Sequence, residues 1–483
     1  MMALTPKTDS RGEPCGLKAA AGLEKAEGSL IDTVALMPTV GLVTDPCEDT
    51  SLVGGIVAAG PLAIGGVVAN LLNILGTVLI ARLLTSHQYG SVAQLLGLFF
   101  VLSMVGSALL VGVVRRIAQW AAEGQESSAR LWCQRLYRRS LLGVAAWCVF
   151  AIALDQPLSR ALRIPGDGAA ALTLMAGGVW LLLCIDRAIL QVHRRYRGLG
   201  QNLIIEIGVR TVLMLSFSAA GFGVAGFAVA LLIGEIAASM HAHMIAERAW
   251  SSPADTDIER QTGPSARSLS YDLAAALVGF ALIGVLQNAD IILIGRLQPS
   301  SSGSYAAISV ASKALVFGAI LLGSYVLPET AIRWHRGDHA LRQLAVTLVF
   351  LAAPTLLLLL AALVAPKQLL TIFFGARLSR GSPAFATLVG AMACLGLTVV
   401  LTNYLFGAAR RWIVSLLAVG VVVLLVLIHL AGGNIEATAR AELVVQGGLA
   451  LVVTAAFALT HVRFHRSRQS VQLVAGIQSV SPR

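Results

Sequence analysis

The stretch "LAVTLVFLAAPTLLLLLAALVAP" at residues 344–366 decides the fold class of this chain. It carries no charge, and as a helix rising about 1.5 Å per residue it can cross a hydrocarbon core about 30 Å thick. Similar runs recur along the 483-residue sequence, of which 57% is hydrophobic and 13% is charged. Strands of a transmembrane barrel would instead give alternating signals of roughly ten residues. The sequence therefore predicts an all-α polytopic membrane protein.

About twelve such segments, each about twenty residues long, lie along the chain. The predicted organisation is a disordered cytoplasmic tail over 1–51, an N-lobe of six spans over 52–248, a cytoplasmic linker over 249–269, a C-lobe of six spans over 270–464 and a cytoplasmic tail over 465–483. The first tail has no signal-peptide pattern, and a translation start near Met37 stays open.

The arginines predict the orientation, because positive residues favour the cytoplasmic side of a membrane. They concentrate in the connections that follow even-numbered spans, above all between 114 and 140, and thin out in the connections that follow odd-numbered spans. Both termini are then cytoplasmic, and 115–140 is expected to be an extended or amphipathic connector near anionic headgroups. Because the basic residues alternate with spans and do not gather on one soluble domain, no nucleic-acid partner is expected.

An internal repeat relates the two halves. The end of the first span, "TVLIARLLTSHQYGS" (77–91), aligns with the end of the seventh, "IILIGRLQPSSSGSY" (291–305), with Arg82 on Arg296. Six spans separate the copies, so both run in the same direction across the membrane. Transporters use parallel repeats of this kind to build a central cavity between two lobes.

Five charged residues fall inside predicted spans, where an ionised side chain is costly and is normally paired or functional. The bases are Arg210 and Lys313, and the acids are Glu206, Glu235 and Asp290. Helix rise places Asp290 and Lys313 at depths where they can meet, and it places Arg210 near the heights of Glu206 and Glu235. The sequence predicts one charged cluster in each lobe.

Two interpretations of these clusters are open. In the functional one, Arg210 and Lys313 attract an anionic substrate, and Asp290, Glu235 or Glu206 neutralises the empty state or exchanges a coupling ion. In the structural one, the charges are ion pairs that fix helix packing. The further substrate-binding candidates are polar residues within or at the ends of spans, namely Asn73, Asn288, Arg82 and Arg296. For these, hydrogen bonding between helices or contact with headgroups is the alternative.

Several segments carry a family resemblance. They are "ARLLTSHQYG" (81–90), "NADIILIGRLQPSSSGSYAAISVASKAL" (288–315), "LPETA" (327–331) and "LLTIFFGARLSRGSPAF" (369–385). In order and spacing they resemble the polysaccharide flippases of the multidrug/oligosaccharidyl-lipid/polysaccharide exporter superfamily, in the branch that handles lipid-linked oligosaccharides.

The resemblance implies a flippase that moves undecaprenyl-diphosphate-linked sugar repeat units across the bacterial inner membrane by alternating access, for surface or exopolysaccharide synthesis. It also implies a polysaccharide polymerase and a chain-length regulator as partners beside the lipid bilayer. No cofactor is expected. Which sugar repeat is carried and which ion drives the cycle stay open.

Three alternatives compete with the flippase. A cation-coupled multidrug antiporter of the same superfamily usually has an acid in its first span, but residues 53–81 contain no carboxylate. A membrane glycosyltransferase or polymerase would need a large external loop or soluble domain, and the sequence shows neither. We therefore expect no enzyme and no catalytic residues. A lipid II flippase would carry about fourteen spans. No metal site is expected, because His461 and His465 lack a third ligand.

Overall fold

The computed structural model describes residues 51–122, 124–250, 266–335, 341–408 and 410–480. The secondary structure in these ranges is helical, without strands. The helices are α1 (Ser51–Leu83), α2 (Ser86–Ala122), α3 (Glu126–Leu162), α4 (Ala169–Val192), α5 (Tyr196–Ala219), α6 (Gly223–Ala249), α7 (Ala266–Leu297), α8 (Pro299–His335), α9 (Leu341–Val364), α10 (Pro366–Phe374), α11 (Ser382–Gly407), α12 (Ile413–Leu430) and α13 (Ile435–Val480).

Twelve helices in this part of the chain are long and apolar enough to cross a membrane. The predicted all-α polytopic fold is therefore confirmed. The segment between α9 and α11 differs from expectation, because α10 and a 3-10 helix at Ala376–Gly381 form where only a loop was predicted. Pro366 starts α10, where its missing N–H costs no helical hydrogen bond, and Gly375 ends the helix with a positive φ of 87°.

The two ends of the bundle differ in their connections. The short-turn end holds the connections α1–α2, α3–α4, α5–α6, α7–α8 and α12–α13, together with α10. The Arg-rich end holds the connections α2–α3, α4–α5, α6–α7, α8–α9 and α11–α12.

At the Arg-rich end, the connector expected over 115–140 is mostly helical and not extended, because α2 continues to Ala122 and α3 begins at Glu126. Aromatic contacts hold these helix ends together: the Arg116 guanidinium lies 4.2 Å from the Trp120 ring centroid, and Trp120 and Trp132 meet edge to face at 5.3 Å.

The helices form two lobes, α1–α6 and α7–α13, which meet where α2 packs against α7 and α8. We call this contact the seam. Small residues allow the close approach there: a Cβ on Gly303 would collide with the Ser86 carbonyl oxygen, and one on Gly97 would lie 3.0 Å from Ile291. The seam starts at the short-turn end, where the first turns of α2 and α8 meet.

Parts of the predicted domain division fall outside the described residues, namely the first tail up to residue 50 and the linker core at 251–265. The lobe limits at 52–248 and 270–464 therefore stay a prediction. The predicted cytoplasmic tail over 465–483 also stays a prediction, and α13 continues into it as far as Val480.

Candidate functional site: a buried charged cluster in each lobe

A polar cluster joins four helices of the first lobe. We call it the N-lobe cluster, and its members are Asn73 of α1, Arg187 of α4, Asn202, Glu206 and Arg210 of α5, and Glu235 of α6. All of them are buried except Asn73, which is half-buried. Asn73 is therefore the member through which the cluster approaches the accessible surface.

Glu206 is the acceptor at the centre of the N-lobe cluster. Its Oε2 accepts a hydrogen bond of 2.5 Å from Arg187 Nη2, and its Oε1 lies 3.9 Å from Arg210 Nη1, one helical turn away. The same Arg210 Nη1 lies 3.9 Å from Glu235 Oε1, and Arg210 Nη2 donates to Asn73 Oδ1 at 3.1 Å. The predicted meeting of Arg210 with Glu206 and Glu235 is confirmed.

Glu235 has the least complete set of partners in this cluster. It is 0% exposed, yet neither carboxylate oxygen has a hydrogen-bond partner among the described residues. Its stabilisation as an anion rests on the Arg210 guanidinium at 3.9 Å. Because Glu206 and Glu235 share Arg210, a change in the charge of either glutamate alters the electrostatic potential at the other.

Arg187 is a member of the cluster that the sequence did not predict, because the fourth predicted span ends beside it and leaves it in a cytoplasmic connection. In the structure α4 continues to Val192, and Arg187 is buried. Its Nε donates to Asn202 Oδ1 at 2.8 Å, and Asn202 in turn donates to the Ala238 carbonyl oxygen at 2.7 Å. The signal that could have found it is a predicted helix that ends at an arginine before the polar connection begins.

The second lobe holds its own cluster around Asp290 of α7, which is 0% exposed. Lys313 Nζ of α8 donates to Asp290 Oδ1 at 2.9 Å, so the predicted meeting of these two residues is confirmed. The hydroxyls of Tyr305 and Ser309, also on α8, both donate to Oδ2 at 3.0 Å. Asp290 therefore has a cation on one oxygen and two hydroxyl donors on the other.

A second carboxylate, Glu442 of α13, completes what we call the C-lobe cluster. Glu442 is 0% exposed and lies within electrostatic range of Asp290 and Lys313. Gln446 Nε2 donates both to Glu442 Oε2 and to the Leu286 carbonyl oxygen of α7, each at 3.1 Å. Glu442 was not predicted from the sequence. An acid beside the start of the last predicted span was the signal that could have found it.

The remaining predicted binding residues lie outside both clusters. Asn288 is buried and donates to the Gly284 carbonyl oxygen of its own helix at 3.0 Å. Arg82 is exposed at the short-turn end, where its Nη2 donates to the Ile372 carbonyl oxygen of α10, and Arg296 is exposed at the same end. The structure brings neither arginine to a cluster, and their binding roles stay predictions.

Within the described ranges, no group of three or more His, Cys, Asp or Glu side chains is placed to hold a metal ion.

Solved structures with the same arrangement of helices are transporters. The chain has a TM-score of 0.60 and 15% identity to an inward-facing multidrug resistance MATE family transporter of the MOP superfamily, covering 81% of this chain and 95% of that one. It has a TM-score of 0.60 and 15% identity to a MOP superfamily transporter from Pyrococcus furiosus, covering 84% and 94%. A mutant of the Vibrio cholerae MATE transporter VcmN gives a TM-score of 0.59 and 15% identity, covering 83% and 95%.

The chain has a MATE-like fold. No protein-family model matches the sequence, and no curated protein matches it. In terms of this MATE-like fold, the N-lobe cluster and the C-lobe cluster occupy the interiors of the two lobes, on either side of the seam.

Proposed function

We propose that this chain is an alternating-access membrane transporter whose cargo is anionic, a lipid-linked oligosaccharide diphosphate of the undecaprenyl type moved across the bacterial inner membrane. The MATE-like fold supports the transporter class, because its structural neighbours are transporters. The cargo is proposed from the charges inside the lobes and from the sequence resemblance described above.

The observation that carries the proposal is that both lobes bury cationic side chains at membrane depth. Arg187 and Arg210 lie inside the first lobe, and Lys313 lies inside the second, each of them at most 7% exposed. A base in this setting costs free energy unless it is paired, and such residues usually mark a substrate or ion pathway. An exporter of cations gains nothing from buried bases, whereas a carrier of diphosphates does.

The carboxylates pair with the buried bases of the empty transporter. With all groups ionised, the two arginines of the N-lobe cluster face Glu206 and Glu235, and Lys313 faces Asp290. An arriving diphosphate competes with these carboxylates for the same cations. In this mechanism Arg210, which reaches the half-buried Asn73, is the first cation of its cluster that the cargo meets.

A neighbouring structure gives precedent for reversed charge in this fold. The Pyrococcus furiosus transporter is described by the words "reverse polarity of binding pocket suggests different function". We take this as support for a cargo other than the cationic drugs of the multidrug branch.

A cation-coupled multidrug antiporter is the second candidate, and the neighbours favour it at least as well, because two of them are described as multidrug resistance MATE family transporters. The buried carboxylates Glu235, Glu442 and Asp290 would then be its ion-coupling sites. Against it stands the first span, in which residues 53–81 contain no acid.

The experiment that separates the candidates is deletion of the gene in its host, followed by analysis of surface and secreted polysaccharide and of lipid-linked intermediates. The flippase predicts loss of polymer with accumulation of an undecaprenyl-linked repeat unit facing the cytoplasm. The antiporter predicts normal polymer and increased retention of cationic dyes. Complementation with Lys313→Arg should restore polymer, complementation with Lys313→Met should not, and Arg440→Ala, which changes an exposed arginine, serves as the matched control.

A further inference from the structure

Three polar residues form a buried column on one face of α13. Thr438, Glu442 and Gln446 are spaced four residues apart, and each is 0% exposed. Thr438 Oγ1, Glu442 Oε1 and Gln446 Oε1 have no hydrogen-bond partner within the described residues. Buried polar atoms normally find a partner, so three unpartnered oxygens on one helix face indicate a place for water or for a proton.

A cavity of about 320 Å³ at the short-turn end lies at the start of α13, the helix that carries this column. Its lining is mostly polar and includes Gln298, Ser301 and Arg380 together with Asn434 and Glu436 at the start of α13. The Asn434 carbonyl oxygen accepts a hydrogen bond of 2.9 Å from the Thr438 amide, so Thr438 lies one helical turn below the cavity and Glu442 two turns below it.

The charges at the lower end of the column do not balance if every group is ionised. Asp290 and Glu442 are two carboxylates, whereas Lys313 is the single base among the described residues that both interact with. Asp290 has three donors, because it accepts hydrogen bonds from Lys313, Tyr305 and Ser309. Within the described part of the chain Glu442 accepts from Gln446 alone, and an uncompensated carboxylate in such a site is avoided by taking up a proton.

We propose that Glu442 is a proton-binding site that exchanges with the short-turn face through Thr438, by a route inside the C-lobe that does not use the space between the lobes. In the uptake step, a hydronium ion in the cavity loses a proton to the column, and the Glu442 carboxylate gains the O–H bond. The Thr438 hydroxyl relays the proton by accepting one hydrogen bond and donating another. This proposal does not depend on which cargo the protein carries.

The charged and titratable groups that interact with Glu442 are Asp290 of α7 and Lys313 and Tyr305 of α8. Arg380, Glu436 and Arg440 lie nearer the cavity. The sequences of α11 and α12 contain no Asp, Glu, Lys or Arg, and their titratable groups are Cys394, Tyr404 and His429. Lys313 is thus the cation that responds most directly when Glu442 loses its proton.

Infrared spectroscopy of the purified full-length protein in nanodiscs tests the proposal without any transport assay. A protonated glutamic acid in an apolar site gives a carbonyl stretch separate from the amide bands. We expect such a band in the wild type, its shift on ¹³C-labelling of glutamate, and loss of a component of it in Glu442→Gln that Glu235→Gln leaves in place. Glu436→Gln, which changes an exposed glutamate on the same helix, should keep the band.

The route is tested by the rate at which the band shifts on transfer to D₂O. Thr438→Val keeps the shape of the side chain but removes the relay, and we expect exchange to slow about tenfold, which corresponds to about 1.4 kcal/mol. Thr438→Ser keeps the hydroxyl and should exchange at the wild-type rate. A wild-type spectrum with no ¹³C-sensitive band would overturn the proton site. An unchanged rate in Thr438→Val would overturn the route.

Discussion

Replacing Lys313 by methionine should destabilise the protein in a pH-dependent way, and the size of the effect follows from the geometry around Asp290. Methionine keeps the length of the side chain but removes the ammonium group that lies 2.9 Å from Asp290 Oδ1. The Tyr305 and Ser309 hydroxyls remain, and no other base interacts with Asp290 in the described C-lobe cluster. Removal of one partner from a buried ion pair typically costs about 3–5 kcal/mol.

Protonation of Asp290 limits this cost. An ordinary aspartate has a pKa of about 3.9 in water, and each pH unit is worth about 1.36 kcal/mol, so protonation at pH 7 costs about 4 kcal/mol and at pH 5 about 1.5 kcal/mol. In the variant the folded state holds a proton on Asp290 that the unfolded state lacks. Its free energy of unfolding should therefore fall as pH rises, by about 1.4 kcal/mol per unit, relative to the wild type.

The assay is chemical unfolding in detergent between pH 5 and pH 7.5, followed by tryptophan fluorescence. The control is the double variant Asp290→Asn with Lys313→Met, which removes both charges and should show a stability difference from the wild type that does not vary with pH. A single variant whose deficit is the same at pH 5 and pH 7.5 would refute the reasoning. The reasoning would also be refuted if the effects of Lys313→Met and Asp290→Asn summed to the effect of the double variant, because paired groups must show a coupling energy.

Three further predictions concern the N-lobe cluster, the seam and the exposed Arg82. Glu206→Gln should lower the free energy of unfolding by about 3 kcal/mol, because Arg187 and Arg210 then share only Glu235. Asn73→Ala should lower it by about 1.5 kcal/mol. Parallel unfolding curves that rank the two variants in the opposite order would contradict this. Gly303→Ala should abolish transport while the protein still inserts and folds, because its Cβ would collide with the Ser86 carbonyl oxygen at the seam. Size-exclusion profiles test the folding, and a transport assay tests the loss of transport. Arg82→Ala should change stability by less than about 1 kcal/mol in the same unfolding assay, since the arginine is exposed.

The membrane fold was predictable from the sequence because hydrophobic length alone specifies a transmembrane helix. The pairing of Lys313 with Asp290 was also predictable, because both lie well inside their spans and helix rise fixes their depths. Arg187 was not, because a charged residue at the end of a hydrophobic run has two possible environments, and hydropathy cannot distinguish a connection from one more buried turn.

The partners of the clusters depended on lateral packing, which a single sequence does not specify. Glu442 reaches Asp290 and Lys313 because α13 lies against α7, and no spacing within α13 indicates that neighbour. The short helix α10 was missed for a different reason: its nine residues are too few for a span, and its apolar sequence follows directly on α9. For Glu442, the deciding contacts join segments that are far apart in the chain.

The seam has a kinetic consequence under the proposed alternating-access function. Each ion pair of the two clusters lies within one lobe, while the seam itself is made from close contacts of small and apolar residues and from a hydrogen bond of 3.2 Å that Gln94 Nε2 of α2 donates to the Ile292 carbonyl oxygen of α7. When the lobes move apart, these buried charges keep their partners. The activation barrier for opening therefore includes no cost of leaving a buried charge unpaired. The rate of opening should then respond to bilayer thickness and side-chain volume at the seam, and it should change little with ionic strength.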